Sequence, residues 1–573
     1  MTQIKPILAG LILLFTTACS FTPEADSLGS DGQQPAASYT EETLSEEVLF
    51  ELAAAAHAGS GAGHGEAVAR LLEEARAQED LSLLRQAAGM AWRMEEWQGL
   101  IEATQLWLDW EPGAEDARRL QVLAYMNAGQ QNDAVASMQG WLEDQPGDLE
   151  RLLRRDFVQV LAVAEDTDDG INVLDAVIRK SGVDSEGALA LAARSRLLWE
   201  TEKPEKAYAL ARRAAERSGT RDDLTWAAQL AASIEDYPAA LEFYSRAREV
   251  SPDEWTLGLA QAQILRNLDR LDDALEVIEG LPENPDVLYS RASYLYERGD
   301  RDAAVAVWQQ LADWAPVEDF DQHAFMVAWL AEFMAMNQQA AEWYAQVREG
   351  PQVDRAMIRR AVLLAEDDRL DEARSLLVLA RDTEQPEQRE RAYLVEAELL
   401  NEAGYAGEAL ALLTQALRET PNRAGLLYAR AISAVESDDL ELAEQDLRRI
   451  IRIDGENAMA LNALGYTLTD LTSRHNEAYR LIRRALELAP EEPAILDSMG
   501  WVYFRLGRPA EALPYLERAL AGDDNPEIAA HLAEVLWTLE QTDRAQDLLR
   551  ETRARHPEDQ HLIDVIERLE IAL

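Results

Sequence analysis

Along residues 494–520 apolar and small residues recur every three or four positions. Leu496, Met499, Gly500 and Tyr503 fall on one helical face, and they meet Ala512, Leu516 and Ala519 of a second helix. The same two-helix pattern returns through the chain. No stretch alternates apolar and polar residues in the manner of strands, and few Val/Ile/Thr-rich segments lie between turn signals. The pattern predicts a nearly all-α protein built of helix pairs.

The period is read from the small residue that opens the second helix of each pair. It falls at Ala207, Ala240, Ala274, Ala304, Ala340, Ala373, Ala409, Ala443, Ala478, Ala512 and Ala545. Consecutive members are 30 to 36 residues apart. Seven residues further lies another small residue in several units (Ala214, Ala247, Ala380, Ala416, Ala485, Ala519), and five beyond that a helix-ending proline (Pro252, Pro316, Pro421, Pro490, Pro557). A period near 34, paired helices and a closing proline form the tetratricopeptide (TPR) signature. Alanine is needed because each second helix lies against its own first helix and the next one, and small side chains let the backbones approach. The expected fold is an all-α TPR superhelical solenoid of roughly 15 helical pairs, the first four degenerate. Those four fall near 46–79, 80–112, 113–146 and 147–180, with "SGVDSEG" at 181–187 as a candidate seam. This divides the chain into degenerate pairs over 45–183, a TPR array over 184–557 and a capping helix over 558–573. Pro514, inside a predicted helix, should kink it locally.

The first residues do not fit the array. "MTQIKPILAGLILLFTTA", residues 1–18, has one lysine, an apolar run from Ile7 to Phe15 and then small residues. That reads as a secretion signal, too short for a membrane span. Cys19 follows directly, and "TTAC" resembles a lipobox, which makes Cys19 the expected lipidation site. Thr16-Thr17-Ala18 also fits ordinary signal peptidase. Ser20 after the cysteine implies outer-membrane sorting, with the protein lipid-anchored and facing the periplasm. Residues 19–44 hold the cysteine and a Ser/Gly/Pro-rich tether. About 25 flexible residues would span roughly 25–30 Å.

Composition narrows the function. The 573 residues carry 106 acidic and 54 basic side chains, a net charge of −52, which repels phosphate backbones. Nucleic acid is therefore not an expected partner. An acidic surface suits either a salty environment or a basic partner. Cys19 is the single cysteine, so no internal disulfide or cysteine-based metal site can form. No GxxxxGK[ST], GxSxG or HExxH occurs, and the seven histidines show no ligand spacing. "EDTDDG" at 165–170 imitates a calcium loop, but Thr167 and Ala176 occupy ligand positions. No enzyme activity, cofactor, metal site or small-molecule substrate is expected, and the partners are expected to be proteins.

One face of the first helices in the last four pairs is the candidate binding surface. It carries Tyr428, Asn462, Tyr466, Asp497, Trp501, Phe504, Arg505, Glu534 and Trp537. Trp501, Phe504, Asp497 and Arg505 lie on the face opposite Gly500 and Tyr503, which would line a concave groove. Without lysine there, a Lys/Asn/Arg carboxylate clamp is not supported. An aromatic and acidic groove suits a segment with apolar and basic residues. Trp501 and Phe504 are read as either ligand contacts or packing on a neighbouring helix.

"ALNALGYTLTDLTSRHNEAYRLIRRALELAPEEPAILDSMGWVYFRLGRPAEALPYLERAL" with "NPEIAAHLAEVLW" resembles a family of proteobacterial TPR outer-membrane lipoproteins. "LSEEVLFELAAAAHAG" and the lipobox fit the same family, so the resemblance covers nearly the whole mature chain. Ala533 stands where the family pattern has glycine, and the first unit is unusually rich in Ala and Gly. The resemblance implies a lipoprotein adaptor that binds a periplasmic carboxyl-terminal processing protease and promotes degradation of peptidoglycan hydrolases. The alternative is a scaffold for envelope or exopolysaccharide assembly machinery with no protease partner.

Overall fold

The computed structural model describes residues 64–163, 167–314, 319–383 and 385–571. Residues 1–18, Cys19, the tether and the first part of the 46–79 unit lie outside the described residues. What is described is helical, in the order α1 (His64–Gln78), α2 (Leu81–Arg93), α3 (Trp97–Trp110), α4 (Glu115–Asn127), α5 (Gln131–Asp144), α6 (Leu149–Arg151), a π turn (Leu152–Asp156), α7 (Phe157–Ala162), α8 (Thr167–Lys180), α9 (Ala188–Glu200), α10 (Pro204–Ser218), α11 (Arg221–Ser233), α12 (Tyr237–Val250), α13 (Trp255–Asn267), α14 (Leu271–Glu279), α15 (Pro285–Arg298) and α16 (Arg301–Ala312). There follow α17 (Phe320–Phe333), α18 (Asn337–Tyr344), α19 (Val353–Glu366), α20 (Leu370–Ala380), α21 (Pro386–Glu402), α22 (Ala406–Glu419), α23 (Ala424–Glu436), α24 (Leu440–Ile453), α25 (Ala458–Leu471), α26 (His475–Leu488), α27 (Pro493–Arg505), α28 (Pro509–Gly522), α29 (Pro526–Thr538), α30 (Thr542–Arg555) and α31 (Gln560–Arg568). Contacts gather these into two compact units divided near residues 311–312. In each unit, helices pack chiefly on their sequence neighbours.

The alanine ladder explains the packing. Each of the eleven alanines from Ala207 to Ala545 is the fourth residue of its helix and is fully buried. Ala214, Ala247, Ala380, Ala416, Ala485 and Ala519 are buried as well. Pro252, Pro421, Pro490 and Pro557 each stand two residues after a helix end. Between the two helices of most described pairs the chain reverses through a left-handed residue. It is Gly at 129, 299, 404 and 507, Ala at Ala335, and Glu or Asp at Glu95, Glu202, Glu235, Asp269, Asp368, Asp438 and Glu540. Glycine at 500 has a different cause: a Cβ there would come 2.5 Å from Leu516 Cγ on α28. Ala533, at the equivalent place on α29, is accommodated and fully buried.

Two local features differ from the simple pattern. α28 runs unbroken from Pro509 to Gly522 with Pro514 inside it. Between α6 and α7 the helix widens into a π turn, burying Leu152, Leu153 and Asp156. α9 packs back onto α7 and this turn, across the 181–187 connection.

Candidate partner-binding face of the last helix pairs

The candidate residues all lie on the first helices of their pairs: Tyr428 on α23, Asn462 and Tyr466 on α25, Asp497, Trp501, Phe504 and Arg505 on α27, Glu534 and Trp537 on α29. Local sequence sets this placement. Buried Gly500, Ala512 and Leu516 hold α27 against α28, while Asp497 and Trp501, four residues apart on another face of α27, meet His531 on α29, and Trp501 also reaches Asp470 on α25.

That face is filled, contrary to an open groove wall. The Tyr466 hydroxyl crosses α27 and donates to Glu527 Oε1 on α29. His531 Nδ1 lies 3.0 Å from Asp497 Oδ1 and 3.1 Å from Oδ2. Trp501, only 5% exposed, is stacked between Phe504 (centroids 5.2 Å apart) and His531 (4.0 Å). Its Nε1 donates to Asp470 Oδ1 at 3.3 Å, which Arg505 Nη1 also reaches at 3.3 Å. Asn462, Tyr466 and Asp497 are buried, while Tyr428, Phe504, Arg505 and Trp537 are half-buried. The indole of Trp501 therefore belongs to packing between first helices, not to an exposed anchor. The physical reason is that α25 and α29 approach closely enough for side chains to join over α27.

The electrostatics follow from burial. Burial alone would lower the His531 pKa, but the Asp497 charge and hydrogen bond prevail and raise it to about 9. Burial, then the Glu527 charge, pushes Tyr466 well above its ordinary value. Burial raises Glu534, opposed by Arg568, whose Nη2 donates to Glu534 Oε2 at 2.6 Å. His561 is lowered by burial and lies 4.0 Å from Glu527 Oε2, so it is not the solvated residue its terminal position suggests. The Tyr428 hydroxyl and Asn462 Oδ1 have no hydrogen-bond partner among the described residues. Trp537 stands one turn beyond Glu534, outside the network. No group of His, Cys, Asp or Glu among the described residues has the arrangement of a metal site.

Sequence reasoning missed His531, Glu527 and Asp470. The signal was present: Asp497 and His531 are 34 residues apart, one repeat. Oppositely charged residues one period apart on first helices face each other in a stacked array.

Three family models described as "Tetratricopeptide repeat" match residues 503–569, 456–525 and 227–287. The chain carries tetratricopeptide repeats. Its fold is an all-α TPR solenoid, a scaffold type suited to protein–protein interaction. It is similar to a TPR repeat-containing protein of Pseudomonas aeruginosa, 42% identical over 214 residues, covering 37% of this chain and 36% of that one. It is also similar to the type IV pilus assembly protein PilF of the same organism, 29% identical over 137 residues, covering 23% of this chain and 54% of that one. The TPR chain thus spans about a third and about half of these relatives. Among solved structures it is similar to a TPR protein of Thermus thermophilus (23% identity, 32% of this chain and 100% of that one, TM-score 0.30). It is also similar to yeast Tom70 (15% identity, 67% and 95%, TM-score 0.31).

Proposed function

We propose that this chain is a non-enzymatic adaptor, held by acylated Cys19 at the periplasmic face of the outer membrane. Its helix pairs bring a periplasmic carboxyl-terminal processing protease together with peptidoglycan-hydrolase substrates. The observation that carries this reading is the run from Ala460 to Trp537, which resembles the corresponding part of the adaptor lipoprotein LbcA. The 42% identity to a Pseudomonas aeruginosa TPR repeat-containing protein is compatible with it. The gain would come from effective concentration: tethering enzyme and substrate to one scaffold replaces a bimolecular encounter by a local one. Phe504, Trp537 and the neighbouring acids give the last pairs an apolar and acidic surface suited to a partner with apolar and basic residues.

A second reading, a scaffold for envelope or exopolysaccharide assembly, draws on the similarity to a type IV pilus assembly protein. One experiment separates the two. The tagged chain is purified from detergent-solubilised envelopes and its companions are identified. A PDZ-containing serine protease, with casein degradation that needs both proteins, supports the adaptor. Recovery of assembly components without a protease supports the second reading and ends the first.

A further inference from the structure

The exposed faces of α24 and α26 carry arginines of two kinds, paired and unpaired. The two helices run in the same direction, because their contacts advance together: Glu444 meets Arg474, Arg448 meets Glu477, and a Cβ at Gly455 would lie 3.8 Å from Arg484 Nη2. At the start of α26 the charges are closed on one another. Arg448 and Arg474 each contact both Glu444 and Glu477, at 2.6 or 2.7 Å. Further along, the pairing stops. Arg452, Arg480 and Arg484 are exposed and make no ion pair or hydrogen bond among the described residues. Arg449 reaches only the neutral Asn422, and Arg483 only Glu487, at 3.6 Å between two exposed side chains.

Both helices end in the same order of side chains. On α24 Arg449 and Arg452 precede Ile453, and Asp454 and Glu456 follow it. On α26 Arg480 and Arg484 precede Leu488, and Glu491 and Glu492 follow it. Ile453 is 52% exposed and Leu488 40%, so each would gain from being covered. Asp454, Glu456 and Glu492 make no ion pair among the described residues, and Glu491 meets only Arg518, at 2.9 Å. Because the helices are parallel, the rows align into three bands: cations, aliphatic side chains, carboxylates.

Such a surface is complementary to itself. A half-turn about an axis along the aliphatic band sets the cations of one copy against the carboxylates of another, and brings Ile453 and Leu488 of both copies together. We propose that the exposed faces of α24 and α26 form a two-fold contact between two copies of this chain, the arginines of each pairing with the carboxylates of the other. The net charge of −52 repels copies at long range. At about 0.15 M salt, charges more than about 8 Å apart are largely screened, and the matched bands act at contact. A membrane or other polyanion would meet Asp454, Glu456, Glu491 and Glu492 beside the arginines. A partner of one sign would match one band and oppose another. Two helix faces make a small contact, of the size class that holds weak and reversible complexes.

Sedimentation of the full chain in detergent, at about 0.15 M salt and from micromolar to millimolar concentration, tests this. A monomer–dimer equilibrium is expected. Arg452→Glu with Arg484→Glu turns the cationic band acidic and should weaken self-association about tenfold or more. Glu456→Arg with Glu492→Arg turns the acidic band basic and should do the same. An equal mixture of these two variants should associate again, because both halves of the contact then pair opposite charges. Detergent is common to every sample, so micelles do not produce that pattern. Should a charge variant not fold, Leu488→Ser, at an exposed position, should also weaken self-association. A chain that stays monomeric over the whole range, undiminished association of either charge variant, or a mixture that stays monomeric would each overturn the proposal. A monomeric chain that instead retains an acidic protein through these arginines assigns the surface to that protein and also ends it. The measurement is independent of the protease pull-down, because no other protein is present.

Discussion

The imidazole of His531 lies flat on the indole of Trp501, with centroids 4.0 Å apart and planes 16° from parallel. The same imidazole faces Asp497, so one side chain fills the space beside α27 and neutralises a buried carboxylate there. This couples stability in the last helix pairs to the protonation of a single histidine.

Trp501→Ala is expected to destabilise, not merely to weaken binding. Removing a buried indole costs about 3–5 kcal/mol in a packed core. Tyr503→Ala should be comparable in kind, since that ring stacks on Tyr515 at 5.7 Å and meets Tyr479 edge-on at 5.4 Å. Repeat arrays need not unfold in one step, so hydrogen exchange within α27 and α29 is a better gauge than a single melting temperature. Unchanged protection in Trp501→Ala would show that the indole is not part of the core.

His531 makes a pH prediction with a definite sign. Its folded pKa, about 9, is above the ordinary value of 6.5. The stabilisation is therefore complete below about pH 6.5 and is lost as pH rises through about 9. Asp497, Glu527 and Asp470 supply the opposing charges. His561 has the opposite sense: its pKa is lowered, so it withdraws stability as pH falls below its ordinary value of 6.5. Stability measured from pH 6.5 to 9.5 should fall in the unaltered chain and stay flatter in His531→Gln. Parallel curves would remove His531 as the cause.

The alanine ladder was legible because a small residue at a helix crossing is a local requirement, repeated every 30 to 36 residues. All eleven positions fell on the fourth residue of a helix. Burial of Trp501 was not legible in the same way. It depends on His531, one repeat away, and on a Tyr466–Glu527 contact that spans two pairs. The π turn at Leu152–Asp156 was hidden because one extra residue disturbs the helical spacing without a proline or glycine to mark it.

Gly500→Ala sets two known effects against each other. Helix propensity would favour alanine by about 1 kcal/mol. A Cβ 2.5 Å from Leu516 Cγ forces repacking, which costs about 1–3 kcal/mol. The expected sign is destabilising. Adding Leu516→Ala should be less than additive, because the clash has gone. A strictly additive double-mutant cycle would mean the two residues do not compete for space.

Cys19→Ser tests the anchor. A single acyl chain binds membranes only marginally, whereas several chains anchor stably. The variant should leave the membrane fraction or accumulate with its leader uncleaved. Unchanged fractionation and processing would remove acylation at Cys19 from the proposed function.

With Trp501 in the core, Phe504 and Trp537 are two half-buried aromatics of this face, beside Tyr428, that can still meet a partner. Buried aromatic anchors dominate interface energetics, and truncating one typically costs about 2 kcal/mol or more, roughly a thirtyfold loss of affinity. Phe504 also stacks on Trp501, so its removal should affect both binding and packing. Trp537 lies outside the Asp497–His531–Trp501 network and gives the cleaner test. Trp537→Ala should leave protection of α27 nearly unchanged while reducing recovery of the partner from solubilised envelopes. His531→Gln should do the reverse, loosening α27 while the surviving folded protein still recruits its partner. If Trp537→Ala recruits normally and His531→Gln does not, the buried network is the more important element for recruitment, and the open aromatics of this face are not its anchor.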